Sequence, residues 1–342
     1  MSGDNRETLK TLADNSVDAV VTDPPYGIDF LGKDWDANTG AIETYQECLR
    51  VLKPGGYILA FSAARTYHHL AVTLEQAGFE IRDQLMWLYA SGFPKAQDLG
   101  KAIQKRQGVE ETETRPGYSS FHKENYGLYN DGKPAEYEKD LQVTKITSPE
   151  AQQWAGWKTA LKPAHEPICM ARKPFKGSCI DNVLTHGVGA LNIDATRIAT
   201  DIEQIQGRFP SNVIGEVEGY QKFFYCPKVS RKERHIGFDT ANIPQMGSTH
   251  PDDIKKHPLW DPSIGGDAAR LKRKIDEAGE YKGNNHPTVK PVELMKYLIK
   301  LVTPENSTVL DPFNGSGSTG MAAVELGHTY IGCELDPDYV EI

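Results

Sequence analysis

Apolar and polar residues alternate in two different rhythms along the outer parts of this chain and in neither along its middle. RETLKTLAD (6–14) places apolar residues at helical spacing, and VDAVVTD (17–23) is a short β-branched run of the kind that forms a buried strand. IETYQECLRVL (42–52) has the amphipathic pattern of a helix that ends at KPGG, after which YILAFSA (57–63) reads as a second buried strand. TYHHLAVTLEQAG (66–78) predicts a helix closed by Gly78, and DQLMWLYA (83–90) a third strand. From Ser91 the signal thins. SGFPKAQDLGKAIQKRQG holds one short helix, and residues 109–160 are polar and aperiodic. HEPICMA (165–171) then predicts one more strand, stopped by Pro174.

Residues 176–285 carry only short β-like runs, such as RFPSNVI and KFFYCP, among glycines, prolines and charges. The rhythm returns at the end. PVELMKYLIKLVTP (291–304) predicts a helix with proline in its first turn, and STVLDPF (307–313) a strand. NGSGSTGMAAVELG (314–327) is a glycine-rich turn into a helix, and TYIGCELD (329–336) a last strand. Strands alternating with helices predict an α/β fold with a mostly parallel sheet, here split in sequence by an inserted middle. The organisation expected is one half of the α/β domain at 1–108, a variable insertion at 109–160 and the last core strand at 161–175. A smaller separate region at 176–285 and the other half of the α/β domain at 286–342 complete it.

Of the 342 residues 39% are hydrophobic and 25% charged, which fits a folded protein rather than a disordered one. No apolar run approaches the ~20 residues of a membrane span, so no membrane partner is expected. The start, MSGDNRETLKTLAD, contains acids and lacks an apolar signal region, which predicts a cytoplasmic protein. Five cysteines, odd in number and without a CxxC pair, suggest reduced thiols and no metal site. The net charge of −9 taken alone counts against a nucleic-acid partner. The charge is uneven, however. KFFYCPKVSRKERH (222–235) is strongly basic with three interleaved aromatics, and ARLKRK (269–274) and ARKPFKG (171–177) are basic too. An acidic domain with a separate basic patch is compatible with DNA binding.

Two turns carry candidate chemistry. In VVTDPPYGIDF (20–30), Pro24 and Pro25 cannot continue a central strand, because they lack ladder donors and fix φ. The strand therefore ends at Asp23, with a carboxylate, a rigid elbow and Tyr26 at the edge where open α/β sheets bind ligands. By itself the tetrapeptide also fits an ordinary turn. In the second turn Gly315, Gly317 and Gly320 spell G-x-G-x-x-G after a strand and before a helix. Glu334, at the end of the next strand, stands where an acid that binds ribose belongs. That pattern also suits an NAD-dependent oxidoreductase. Pro312 and Phe313 would crowd a pyrophosphate, and favour an adenosine or sulfonium ligand instead.

TDPPYG, HPTVKPVELM (286–295) and LDPFNGSGSTG together resemble the DNA amino-methyltransferases, in the motif order of their beta class, with the catalytic motif before the cofactor motif. The resemblance covers residues 1–100, 150–175 and 285–342. It implies a Rossmann-like, circularly permuted fold dependent on S-adenosylmethionine, with 176–285 as an inserted target recognition region. It implies site-specific methylation of adenine N6 in double-stranded DNA after base flipping, with cytosine N4 as the alternative. Ser more often stands at the first motif position in cytosine enzymes. Asp23, Pro24, Pro25 and Tyr26 would grip the target base. Asp311, Phe313, Gly315, Gly317, Thr319 and Glu334 would form the cofactor loop and ribose contact. Thr288 and Lys290 would close over the methionine part, and Asp4 would contact the adenine. Arg231, Lys232 and Arg234 are the expected phosphate contacts. A bacterial or phage-infected cell is the implied setting. The oligomeric state stays open, a homodimer included.

Overall fold

The computed structural model describes residues 1–28, 36, 38–89, 96–115, 141–199, 207–215 and 289–340. Along the chain run helix α1 (Asn5–Thr8), strand β1 (Val17–Thr22), α2 (Ile42–Val51), β2 (Leu52–Phe61), α3 (Tyr67–Ala77) and β3 (Glu80–Leu88). Then come α4 (Leu99–Arg106), β4 (Thr112–Arg115), β5 (Leu141–Thr144), α5 (Pro149–Gln153), β6 (His165–Arg172) and α6 (Cys179–His186). The last are β7 (Val213–Gly215), α7 (Val292–Val302), β8 (Thr308–Asp311), α8 (Ser318–Glu325), β9 (Thr329–Gly332) and α9 (Pro337–Val340).

Among the described residues seven strands form one sheet in the order β7-β3-β6-β2-β1-β8-β9. β1 lies parallel to β2 on one side and to β8 on the other, and β8 parallel to β9. β6 is antiparallel to β2, pairing Tyr57 with Arg172 and Phe61 with Ile168. β1 is buried at every position, which explains its mostly apolar sequence. Its one acid, Asp18, is satisfied there by the Lys53 ammonium at 2.5 Å and the Thr308 N–H at 2.7 Å. Leu9, Val17, Val20, Tyr45, Leu52, Leu70, Leu74 and Leu310 pack into one core cluster, so helices from the first half and a strand from the last share it.

β2 begins at Leu52, directly after α2, earlier than the Tyr57 start expected from the pattern. Pro54, Gly55 and Gly56 read as breakers, yet the register slips between Val17/Leu52 and Ala19/Tyr57, and the extra residues are absorbed as a bulge. The first residues of the chain meet the far edge of the sheet. Ser2 bridges Glu334 in parallel, the Gly3 N–H donates to the Glu334 carbonyl at 2.8 Å, and the Glu334 N–H donates to the Met1 carbonyl at 3.0 Å.

Two compact units partition the chain, Met1–Leu88 with Glu166–Ile342, and Tyr89–His165. The second contains α4, α5 and an antiparallel pair, β4 with β5. The sequence pattern shows no strands there, because four-residue strands are too short for a two-residue period to stand out. Gln104, fully buried, pins this unit: its amide donates to the Lys145 carbonyl and accepts from the Thr147 N–H at 2.6 Å. Among the described residues no helix is long and apolar enough to cross a membrane.

Candidate active site

β1 stands between β2, which follows it in the chain, and β8, which arrives from the other end of the sequence. The chain reverses its direction of travel across the sheet at this point, and in open α/β sheets such a point opens a crevice at the carboxyl ends of the strands. Both candidate turns sit there. β1 leads into Asp23-Pro24-Pro25-Tyr26, and β8 into Pro312-Phe313 and the glycine loop. A hydrogen bond ties them: the Thr22 hydroxyl donates to Asp311 Oδ1 at 2.6 Å. The Thr319 hydroxyl donates to Asp311 Oδ2 at 2.6 Å, and the Phe313 N–H to Oδ1 at 3.0 Å. Burial pushes the Asp311 carboxyl up to about 6 even against these three donors.

The elbow after β1 is folded around a carboxylate that the motif does not contain. Asp36, 1% exposed, accepts the N–H of Tyr26 at 2.6 Å, of Gly27 at 3.0 Å and of Ile28 at 3.2 Å. Three successive amides can converge on one side chain because Gly27 has φ +63°, which glycine adopts freely. Nothing in the local sequence marks Asp36 for this, since the turn that delivers it is a tertiary event.

The side chains of the elbow form a compact polar cluster. Lys290 Nζ lies 2.6 Å from Asp23 Oδ2 and 3.3 Å from Glu166 Oε2. The Tyr26 hydroxyl lies 2.7 Å from Asp23 Oδ1, 3.0 Å from Glu166 Oε2 and 3.1 Å from Lys290 Nζ. The ammonium also sits 5.0 Å from the centre of the Phe61 ring and 5.5 Å from that of Tyr26. Burial works against the Lys290 charge, but Asp23 and Glu166 outweigh it and hold the ammonium above its ordinary value. Burial, then the same two carboxylates, keep the Tyr26 phenol well above its own. Lys290 was expected beside the cofactor's methionine part; here its charge faces the elbow. Glu166, near the start of β6, is part of this cluster.

On the other side of Asp311 the glycine loop is held by Glu334, whose Oε2 accepts the Gly315 N–H at 2.7 Å and Oε1 the Asp336 N–H at 2.9 Å. Burial raises the Glu334 carboxyl. Asp4 caps α1 and pairs with Arg6 at 2.5 Å. Its neighbours anchor it beside the loop, through Gly3 to Glu334 and through Asn5 Nδ2 to the Pro312 carbonyl at 2.8 Å. Asp23, Tyr26, Lys290, Asp311, Phe313, Thr319, Glu334 and Asp4 thus all lie around the ends of β1, β8 and β9. Thr288, Arg231, Lys232 and Arg234 lie outside the described residues. Among the described residues no cluster of three metal-binding side chains occurs.

A family profile described as DNA methylase matches residues 17–342. The type II methyltransferase M.HpaI of Haemophilus parainfluenzae is 33% identical over 351 residues, covering 98% of this chain and 69% of that protein. M.HindIII of Haemophilus influenzae is 25% identical over 372 residues, covering 95% of this chain and 87% of that protein. A shorter match, to the DNA adenine methyltransferase YhdJ of Escherichia coli, is 37% identical over 76 residues, 22% of this chain and 24% of that protein. Among solved structures, that of M1.HpyAVI in complex with SAM is 17% identical at a TM-score of 0.42, covering 100% of this chain and 97% of that one. The profile runs through both the proline elbow and the glycine loop, and M.HpaI aligns along nearly the whole length: the chain belongs to the N6/N4 DNA methylase family.

Proposed function

We propose that this DNA methylase transfers the methyl group of S-adenosylmethionine to N6 of adenine in double-stranded DNA, at a specific site and after base flipping. The observation that carries the reading is the Thr22–Asp311 hydrogen bond of 2.6 Å, which joins an acceptor elbow to a glycine-built ligand loop at the centre of one sheet. A reacting amine and a bound nucleoside ligand need such adjacency.

The loop fits the cofactor by the chemistry of its donors. The Glu334 oxygens accept the Gly315 and Asp336 N–H groups, and a carboxylate has about four lone-pair sites, so capacity remains for ribose hydroxyls. Gly315 and Gly317, at φ +52° and +78°, let a ligand approach the backbone. Phe313 and Asp4 would flank the adenine, Thr319 holds Asp311 in place, and Thr288 would meet the methionine end. When bound, S-adenosylmethionine supplies an electrophilic methyl on a sulfonium.

The protein must then make an aromatic amine nucleophilic. Its lone pair is delocalised into the ring, and the Asp23 carboxylate and the Pro24 carbonyl can each accept a hydrogen bond from one of its two N–H groups. That draws the nitrogen toward sp³ character and frees the pair for attack. Pro25 stiffens the elbow, and Tyr26 can stack on the extruded base, typically worth ~1–3 kcal/mol. The base must leave the duplex because its amine is otherwise paired. Residues 176–285 would read the site, with Arg231, Lys232 and Arg234 on phosphates. Adenine is favoured over cytosine by the aspartate at the first motif position, in agreement with the likeness to the DNA adenine methyltransferase YhdJ.

The test is mass identification of nucleosides from DNA of cells expressing the wild type or Asp23→Ala. N6-methyladenine is expected with the wild type, and at least about 10³-fold less with the variant, whose DNA binding should persist. N4-methylcytosine alone would overturn the adenine assignment.

A further inference from the structure

Both acceptor oxygens of Asp23 are engaged in this structure. Oδ2 accepts from Lys290 at 2.6 Å and Oδ1 from the Tyr26 hydroxyl at 2.7 Å. A target amine needs one of those oxygens as a strong acceptor, and an oxygen that already binds an ammonium or a hydroxyl is a weaker and more crowded one, so moving a donor to another partner strengthens Asp23's hold on the amine. Lys290 is 6% exposed, and pulling its ammonium from Asp23 with no second acceptor would strand a buried charge.

Glu166 supplies that second acceptor. Its Oε2 is 3.3 Å from Lys290 Nζ and 3.0 Å from the Tyr26 hydroxyl, within reach of both donors that Asp23 now holds. Tyr26 has one phenolic proton and can serve only one carboxylate at a time. The Phe61 and Tyr26 ring faces, 5.0 and 5.5 Å from the ammonium, favour keeping the cation where it is while its hydrogen bond shifts. Topology explains the delivery. β6 is antiparallel to β2, with Ile168 opposite Phe61, so the first residues of β6 reach the carboxyl edge of the sheet. A parallel strand starts at the opposite edge.

We infer that Glu166 is a positioning residue for methyl transfer: it takes over the Lys290 ammonium and the Tyr26 hydroxyl as the target amine enters, and so releases Asp23 to accept from that amine. The inference rests on the amine-methylating reading above. Lys290 then has two stations, Asp23 in the ligand-free protein and Glu166 in the loaded one. The Tyr26 hydroxyl, handed to Glu166, no longer competes with the amine for Asp23.

Single-turnover transfer of tritiated methyl from saturating S-adenosylmethionine to unmethylated genomic DNA tests this in a double-mutant cycle of Glu166→Gln and Lys290→Met. Glu166→Gln alone should slow transfer by about 10- to 100-fold with the cofactor KM changed less than about 3-fold. In the Lys290→Met background, where no ammonium needs a station, the same change should cost less than about 3-fold. Equal losses in both backgrounds, or a wild-type rate in Glu166→Gln, overturn the inference and leave the function standing. A wild type that transfers no methyl to DNA overturns both. Should Glu166→Gln not fold, the wild-type complex with S-adenosylhomocysteine and target DNA decides. Lys290 bonded to Glu166 there supports the exchange, and Lys290 still on Asp23 with the amine bound refutes it.

Discussion

Asp311 shows how one residue can serve the site at a cost to the fold. Its carboxyl is 2% exposed, and burial raises it to about 6 although Thr22, Thr319 and the Phe313 amide donate to it. Its ordinary value is 3.8, so between these two the folded state binds more protons than the unfolded one. Stability from this group is therefore fully present below pH 3.8 and is lost as pH rises through about 6. Asp311→Asn keeps an oxygen for Thr22 and Phe313 and removes the buried charge. The variant should gain about 2 kcal/mol on the wild type between pH 4 and pH 7. Urea unfolding at the two pH values measures it, and an unchanged difference would show that the carboxyl is not desolvated as the structure has it. Lys290 is the opposite case, a buried charge compensated by two carboxylates rather than by hydroxyls.

At the scale of elements, the unit that shapes the ligand loop is β8, α8 and β9 taken together. α8 approaches β9 closely because Gly320 has no side chain: a Cβ there would lie 2.6 Å from Tyr330 Cε1. The Tyr330 hydroxyl in turn donates to Asn314 Oδ1 at 2.5 Å, at the head of the glycine loop. Packing between a helix and a strand thus sets the position of the loop. Gly320→Ala should cost about 1–3 kcal/mol of stability by forcing that ring aside. It should also weaken S-adenosylhomocysteine binding several-fold through Asn314, which titration calorimetry would read. Destabilisation with unchanged affinity would separate the packing from the loop.

The larger of the two units, Met1–Leu88 with Glu166–Ile342, closes on itself. Its first residues bond to the end of β9 and to the residues just beyond it: the Met1 ammonium donates to the Gly332 carbonyl at 2.6 Å, and Ser2 bridges Glu334. β1 and β8, paired through Ala19/Val309 and Val20/Leu310, come from opposite ends of the chain. The order of the two halves in sequence is then a matter of connection rather than of packing. Joining the termini through ~10 glycine and serine residues and reopening the chain between Glu305 and Asn306, both exposed, should preserve the sheet. Such a permuted protein should bind S-adenosylhomocysteine within about 3-fold of the parent, and loss of binding would show that the native connection itself is needed.

Local sequence determined the alternation of strands and helices at both ends, the elbow that Pro24 and Pro25 impose after β1, and the glycine turn after β8. These follow from backbone propensity and from side-chain periodicity, which act over a few residues. Tertiary structure alone decided that the two turns share one edge, joined by Thr22 and Asp311 across 289 positions. It also brought Asp36 under the elbow, Lys290 onto Asp23, and Glu166 to the cluster by way of an antiparallel strand. Partnerships of that kind depend on strand order and direction. Periodicity is blind to both, because a buried strand has the same apolar pattern whichever way it runs.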